Sequence, residues 1–319
     1  MSDFSGYSLS GCLIDDSYSG PRLTSEMGSD PARANGDVLP PVVDLRKWCS
    51  PVEDQRKTGT CVANAVVGAL ELLQRKEGHS VQDLSRLFVY YNARSMHDFD
   101  TESGTGVPFA MAAIIAHGIC EERLWPFSEL SVDEKPTQAC YDNAQNYRGV
   151  EFAELEKGTP LTHVLARGIP VVIGVSLPRE AYLSAMETGL MQVPAGWQPN
   201  PADGAHAMLV VGYDLEKRVY IVRNSWGERY AAGGYFLMPF NLFDTSSLVC
   251  QTWAIGSLGT APGLKLLGAS VPQAVEQMAG AAVTASKPGG KDPGAGLRGE
   301  LQGNIDRARS TFAKRLRDR

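Results

Sequence analysis

The 319-residue sequence predicts an α+β protein, with helices gathered in its first half and strands in its second. Two patterns and one chemical coincidence carry this. After Cys61, the residues Val62, Val66, Leu70 and Leu73 recur at helical spacing, with Ala65 and Ala69 on the same face. After His206 the period changes: Ala207 to Tyr213 and Val219 to Arg223 are short apolar runs around the turn-like Asp214-Leu215-Glu216-Lys217, a hairpin signal. The coincidence is that a thiol, an imidazole and an amide stand at the ends of these elements: Cys61, His206 and Asn224.

The elements follow in order. Residues 1–35 are rich in Ser, Gly and Asp and read as poorly structured, up to the stiff Leu39-Pro40-Pro41. Helices are expected over 61–76, 84–94 and 107–117, the last ended by Gly118. Strands are expected at Gly149–Phe152, Pro170–Ser176, Ala207–Tyr213, Val219–Arg223, Gly234–Met238 and near Gln251–Ile255, with a helix near Thr159–Arg167. The Pro/Gly-rich stretch Met191–Gly204 reads as a loop before His206. From Gly259 to Gly299 the composition is that of a linker. Overlapping its end, Leu297, Leu301, Ile305, Ala308, Phe312 and Leu316 form the apolar stripe of a basic amphipathic helix. That helix could dock on an acidic partner, on the protein's own body or on a membrane surface; the plainer reading is a solvated, mostly disordered tail. The chain thus divides into an extension (1–40), a body (41–258, helical to about 148 and β from about 149) and a tail (259–319).

Composition narrows the class. With 43% hydrophobic and 21% charged residues, the chain can build one sizeable core. No apolar run approaches the ~20 residues of a membrane span. A net charge of −6 is too mild to suggest nucleic acid as a partner. The charge is uneven: ten basic against five acidic residues from Ser257 onward leave that part at +5 and the rest at −11. Cys12, Cys49, Cys61, Cys120, Cys140 and Cys250 are widely spaced and offer no zinc pattern, so no metal and no organic cofactor is expected. Residues 1–20 have neither a basic start nor an apolar segment. The expectation is therefore a cytoplasmic protein, with signal-less export left open.

The chemistry lies in Cys61, His206 and Asn224. A cysteine in the first turn of a helix meets unpaired N–H groups and the positive dipole end, which favour a thiolate. An imidazole can hold that thiolate ionised, and an amide oxygen can fix the imidazole's tautomer. Gln55, six residues before Cys61, could pair its side-chain N–H with the Cys61 amide as an oxyanion hole. Trp226 could shield the His206–Asn224 pair from water. Each residue alone has a plainer reading: Cys61 as a packed thiol, His206 as a core residue, Asn224-Ser225-Trp226-Gly227 as a turn.

Together these residues resemble the papain family of cysteine peptidases, its bacterial members most closely. The Gln–Cys–His–Asn order matches, and the Cys-to-His separation of roughly 145 residues falls in that family's range. Val43-Asp44-Leu45-Arg46 looks like the start of the mature enzyme, Leu84-Ser85-Arg86-Leu87-Phe88 like the second helix, Gly104-Thr105-Gly106-Val107-Pro108 like the substrate-binding glycine loop, and Gly233-Gly234-Tyr235-Phe236 like the strand after the Trp motif. The resemblance covers about residues 41–258. It implies a two-lobed fold, a helical lobe and an antiparallel β-barrel-like lobe, with the active site in the cleft between them.

The resemblance further implies a cysteine endopeptidase working through an acyl-enzyme: Cys61 as nucleophile, His206 as base and acid, Asn224 as its orienter, Gln55 in the oxyanion hole. Gly106 and Gly204 would offer backbone hydrogen bonds to an extended peptide or protein substrate. Val107, Pro108, Ala205 and Trp226 would line the cleft, with an apolar pocket at Val107 and Pro108. The extension 1–40 is expected either to lie over the cleft as an inhibitory segment or to be a floppy tail. The sequence departs from the family at Thr58, where a disulfide cysteine is usual, and at Val62, Asn64 and Ala205. An acyl transferase or isopeptidase using the same triad, and a silent peptide-binding module, are the alternative readings.

Overall fold

A computed structural model describes residues 7–14, 22–23, 39–78, 83–96, 104–147, 151–155, 159–198, 200, 203–244 and 249–256. The expected amphipathic tail helix and the linker before it lie outside the described residues.

Helix α1 (Cys61–Lys76) is central, with every residue from Cys61 to Leu73 buried. It packs on one side against α2 (Arg86–Arg94) and α3 (Val107–His117) and on the other against the sheet. Ser85 caps α2, its Oγ accepting the Phe88 N–H at 3.1 Å and donating to the Trp125 carbonyl at 2.7 Å. Gly106 precedes α3, and Gly118 ends it at φ 79°, a conformation that favours glycine. A short α4 (Gln138–Ala144) completes the helical half.

The sheet comprises β1 (Arg22–Leu23), β2 (Val42–Asp44), β3 (Glu151–Leu155), β4 (Val171–Val175), β5 (His206–Asp214), β6 (Val219–Arg223), β7 (Tyr235–Pro239) and β8 (Val249–Gly256). Its order is β1-β3-β8-β4-β5-β6-β7, antiparallel except for the β1–β3 pair. Two of the eight strands, β1 and β2, come from residues ahead of the helices. Strand β2 pairs with the far half of β5, while β4 pairs with its near half.

The β lobe is a mostly antiparallel sheet that is open among the described residues, because β7 and β1 do not pair. The β5 register slips between Val210 and Gly212, and beyond this bulge the strand pairs with β2 instead of β4. A Cβ at Gly212 would run into the Val43 carbonyl, so glycine is required where β2 crosses.

Both faces of the sheet are covered, which is why β4, β5 and β6 read as continuous apolar runs. Val172, Leu209, Val211, Ile221 and Trp253 face the helices. Val171, Ile173, Met208, Val210 and Val222 face a second core. That core is closed by α5 (Leu161–Ala166) and α6 (Arg179–Thr188). A short α7 (Asn241–Asp244) follows β7. The sequence reading lacked α4, α6 and α7 and set β3 two residues early. In α6 the boundary signals are present, Pro178 before it and Gly189 after it at φ 74°. Its buried face is narrow, Ala181, Tyr182 and Ala185, and does not raise a periodic signal.

Candidate active site

The site lies where the N-terminus of α1 meets the start of β5. Cys61 is the first residue of α1 and is fully buried. Backbone N–H groups of Ala207, Val62 and Cys61 itself point at its sulfur and favour the thiolate, but burial outweighs them and pushes the thiol up to about 12. Burial thus opposes, in this closed form, the thiolate that the helix N-terminus favours. The physical reason is the loss of water from the cleft.

His206 opens β5 opposite Val175, and Asn224 follows directly on β6, so the β5–β6 hairpin brings them together. His206 Nε2 lies 2.8 Å from Asn224 Oδ1. The same oxygen accepts the Ser225 N–H at 2.9 Å. A backbone N–H can only donate, so that atom is the oxygen, and His206 Nε2 must carry the proton. The other ring nitrogen, Nδ1, is then the lone-pair nitrogen. It is buried and has no hydrogen-bond partner. Trp226 stacks on the imidazole at 4.7 Å, and Tyr182 of α6 meets it edge-on at 5.8 Å. Burial lowers the His206 pKa to about 4, against the Asn224 hydrogen bond, which raises it. Burial thus favours a neutral thiol and a neutral imidazole in the closed site.

Gln55 is buried and clamped. Its Nε2 donates to the Thr58 carbonyl at 2.9 Å, and its Oε1 accepts the Ser225 hydroxyl at 2.5 Å. One Nε2 hydrogen remains for a further acceptor. Thr58 closes the same turn through its hydroxyl, which donates to the Gln55 carbonyl at 2.7 Å.

Two charged side chains hold this loop between the lobes. Arg223 of β6 reaches the Pro51 carbonyl at 2.5 Å and Ser50 Oγ at 3.1 Å. Arg86 of α2, 1% exposed, pairs with Glu71 at 3.0 Å, with Asp83 at 2.9 Å and with Glu53 at 3.2 Å, two residues before Gln55. Among the described residues no group of three or more His, Cys, Asp or Glu side chains could hold a metal ion.

The remaining expected residues form two walls, and residues 7–14 of the extension lie between them. On one wall, Thr105 donates its N–H to the Gly11 carbonyl at 3.1 Å and accepts the Leu13 N–H at 3.0 Å. Gly106, Val107 and Pro108 follow at the start of α3, where Val107 and Pro108 are buried and Gly106 faces the Leu13 carbonyl. On the other wall, Ala205 accepts the Cys12 N–H at 3.1 Å. Gly204, at φ 72°, takes the Leu9 carbonyl where a Cβ would come within 2.5 Å of it. The Cys12 side chain is 5% exposed, its sulfur 3.1 Å from where a Cβ on Gly174 would stand. Tyr7 stacks on Trp226 at 4.8 Å. Gly11 sits over Cys61: a Cβ there would be 2.7 Å from both Cys61 Sγ and the Gly59 carbonyl.

Sequence reasoning missed Ser225, which orders Asn224 and Gln55 together, and Tyr182, which packs on His206. Ser225 carried a signal as part of the Asn-Ser-Trp-Gly run. Tyr182 carried none, because its role depends on how α6 folds back.

The family model for papain family cysteine proteases matches residues 39–249. An uncharacterized peptidase C1-like protein of Acanthamoeba polyphaga mimivirus is 29% identical over 236 residues, 68% of this chain and 75% of that one. Cathepsin K of Gallus gallus is 29% identical over 223 residues, 66% of this chain and 61% of the relative. Among solved structures, xylellain, a cysteine protease from Xylella fastidiosa, superposes with a TM-score of 0.69 at 29% identity, covering 79% of this chain and 97% of that one. Digestive procathepsin L 3 of Tenebrio molitor, at 19% identity and a TM-score of 0.58 over 75% of each chain, shares the fold.

Proposed function

The chain belongs to the papain family of cysteine proteases and is a cysteine endopeptidase acting on peptide bonds; from that premise we propose that Cys61, His206, Asn224 and Gln55 carry the reaction and that residues 7–14 hold the enzyme latent. The observation that supports the first part is the tautomer of His206. Its proton is committed to Asn224, so Nδ1 is the base. Nδ1 takes the Cys61 proton, and the sulfur attacks the scissile carbonyl carbon. The Gln55 Nε2–H and the Cys61 N–H receive the oxyanion. The imidazolium, still bonded to Asn224, gives its proton to the leaving amine. Water then hydrolyses the thioester with His206 as base. Trp226 and Tyr182 keep bulk water from the ring.

Latency is supported by the seat of residues 7–14. They fill the ground that a substrate needs, from Trp226 past Cys61 to Gly106. The Gly11 carbonyl is engaged by the Thr105 N–H, which makes this segment a poor substrate. Two tests bear on the reaction. A thiol-directed epoxide should modify Cys61 in a chain lacking residues 1–38, and Cys61→Ala should remove both that label and all hydrolysis of a fluorogenic peptide. Turnover by Cys61→Ala would refute the assignment.

A further inference from the structure

Outside the cleft, the helical half buries two more thiols side by side. Cys120 follows Gly118 at the end of α3, and Cys140 lies in the first turn of α4. Both are fully buried, and with Phe88 and Ala144 they form a small apolar cluster of their own. The two thiols share this cluster, and each is near enough to bear on the other's ionisation. Cys140 Sγ also lies 3.6 Å from the Leu124 carbonyl and 3.3 Å from Thr137 Oγ1. Of the other cysteines, Cys12 and Cys61 lie in the cleft and Cys49 lies beside Arg223.

We infer that Cys120 and Cys140 are a redox-active pair that closes to a disulfide in an oxidising environment. The backbone around both is already fixed in place. Cys120 accepts the Ser85 N–H at 2.8 Å, and the next residue, Glu121, donates its N–H to Asn143 of α4 at 2.9 Å. The side chain of Asn143 returns a bond to Glu121 at 3.2 Å. These bonds tie the backbone at Cys120 to the helix that carries Cys140.

The exchange balances with a small-molecule disulfide as oxidant. One cysteine thiolate attacks a sulfur of that disulfide, forming a mixed disulfide and releasing one thiol. The second cysteine attacks the mixed disulfide, forming the Cys120–Cys140 bond and releasing the other thiol. The protein loses two protons and two electrons; the oxidant gains them. Burial and the neighbouring thiol hold the Cys120 pKa well above the usual thiol range, so exchange proceeds during folding or local opening.

The closed loop of about 20 residues has few regular elements, so cross-linking it restrains the unfolded chain substantially. It also carries Glu129, which pairs with Arg56 at 3.2 Å and accepts the Lys57 N–H at 3.4 Å, beside the Gln55 turn. Oxidation would thus brace the wall of the active site without touching it.

The test uses the full chain carrying Cys61→Ala, unfolded and refolded in glutathione disulfide with glutathione, then alkylated under denaturing conditions and digested with trypsin. The expected result is that peptides 95–123 and 124–148 run as one linked species, two hydrogens lighter than their sum. The oxidised protein should melt roughly 5–10 °C higher than the reduced one. Cys120→Ser and Cys140→Ser in the same background should lose the link and the shift. Alkylation of both cysteines after oxidising refolding, capture of both as separate glutathione adducts, or linkage of either to another cysteine would overturn the inference. The mass readout does not require the variants to fold, and it is independent of peptidase activity.

Discussion

Gly11 and Cys61 approach so closely that a single methyl group on the glycine would stand 2.7 Å from the sulfur. The same methyl would press on the Gly59 carbonyl, so the segment cannot step aside locally. Gly11→Val should therefore expel residues 7–14 from the cleft while leaving the body intact. Overpacking of this kind costs about 1–3 kcal/mol, which converts to a rise in the full chain's kcat/KM of roughly 5- to 150-fold. The comparison is of initial rates of Gly11→Val and wild-type full-length chains on a short fluorogenic peptide. An unchanged rate would mean that the segment does not control access.

The closed site should be sensitive to pH on both sides. His206 has its pKa lowered by burial to about 4 from an ordinary 6.5. Its contribution to the closed form is full above pH 6.5 and is lost as pH falls towards 4, because the open form then binds the proton more tightly. Cys61 works in the opposite sense. Its thiol, pushed up to about 12 from 9.0, stabilises the closed form fully below pH 9 and progressively less above it. The acid side lies in an accessible range, and the shift there is on the order of 3 kcal/mol. The ratio of full-length to truncated activity should rise as pH drops below 6.5. A ratio flat from pH 7 to pH 4.5 would count against burial as the restraint on His206.

Ser225 is a positioning residue, joined through its N–H to Asn224 and through its hydroxyl to Gln55. Ser225→Ala removes only the second bond. It should lower kcat about tenfold with little change in KM, whereas Gln55→Ala should cost roughly 10²–10³ in kcat. Rescue by Ser225→Thr would separate loss of the hydroxyl from loss of packing. Equal kcat values for Ser225→Ala and wild type would remove Ser225 from the site's support.

Arg86 is 1% exposed and depends on Glu71, itself fully buried. Glu71→Ala leaves the guanidinium with Asp83 and Glu53, both nearer solvent. The expected loss of stability is about 3 kcal/mol, read as a shifted urea midpoint. A midpoint equal to wild type would show that the outer carboxylates suffice.

The sequence made some of this architecture plain and hid the rest for physical reasons. Helices α1 and α3 stand at the expected bounds because their apolar residues and their terminal Gly118 act locally. Strand β6 and the hairpin turn were legible for the same reason. The bulge near Gly212, the crossing of β2 and the packing of Tyr182 on His206 depend on residues far apart in the chain, and no local pattern encodes them. A segment lying over the cleft was one of two expectations for the extension. Its register, Gly11 on Cys61 and Tyr7 on Trp226, is set by steric fit that only the folded walls reveal. The preference for a neutral thiol and imidazole was hidden for a related reason: it follows from burial by a segment that sequence could not place.

The central claim is that one segment of the chain restrains a Cys61–His206–Asn224 peptidase. It is tested most directly by measuring kcat/KM on a fluorogenic peptide for the full-length chain and for a chain beginning at Leu39, each with and without Cys61→Ala. The account predicts higher kcat/KM in the shortened chain, suppression when a synthetic peptide of residues 7–14 is added back in excess, and no turnover in either Cys61→Ala form. Equal kcat/KM for the two lengths, with both folded, would contradict it.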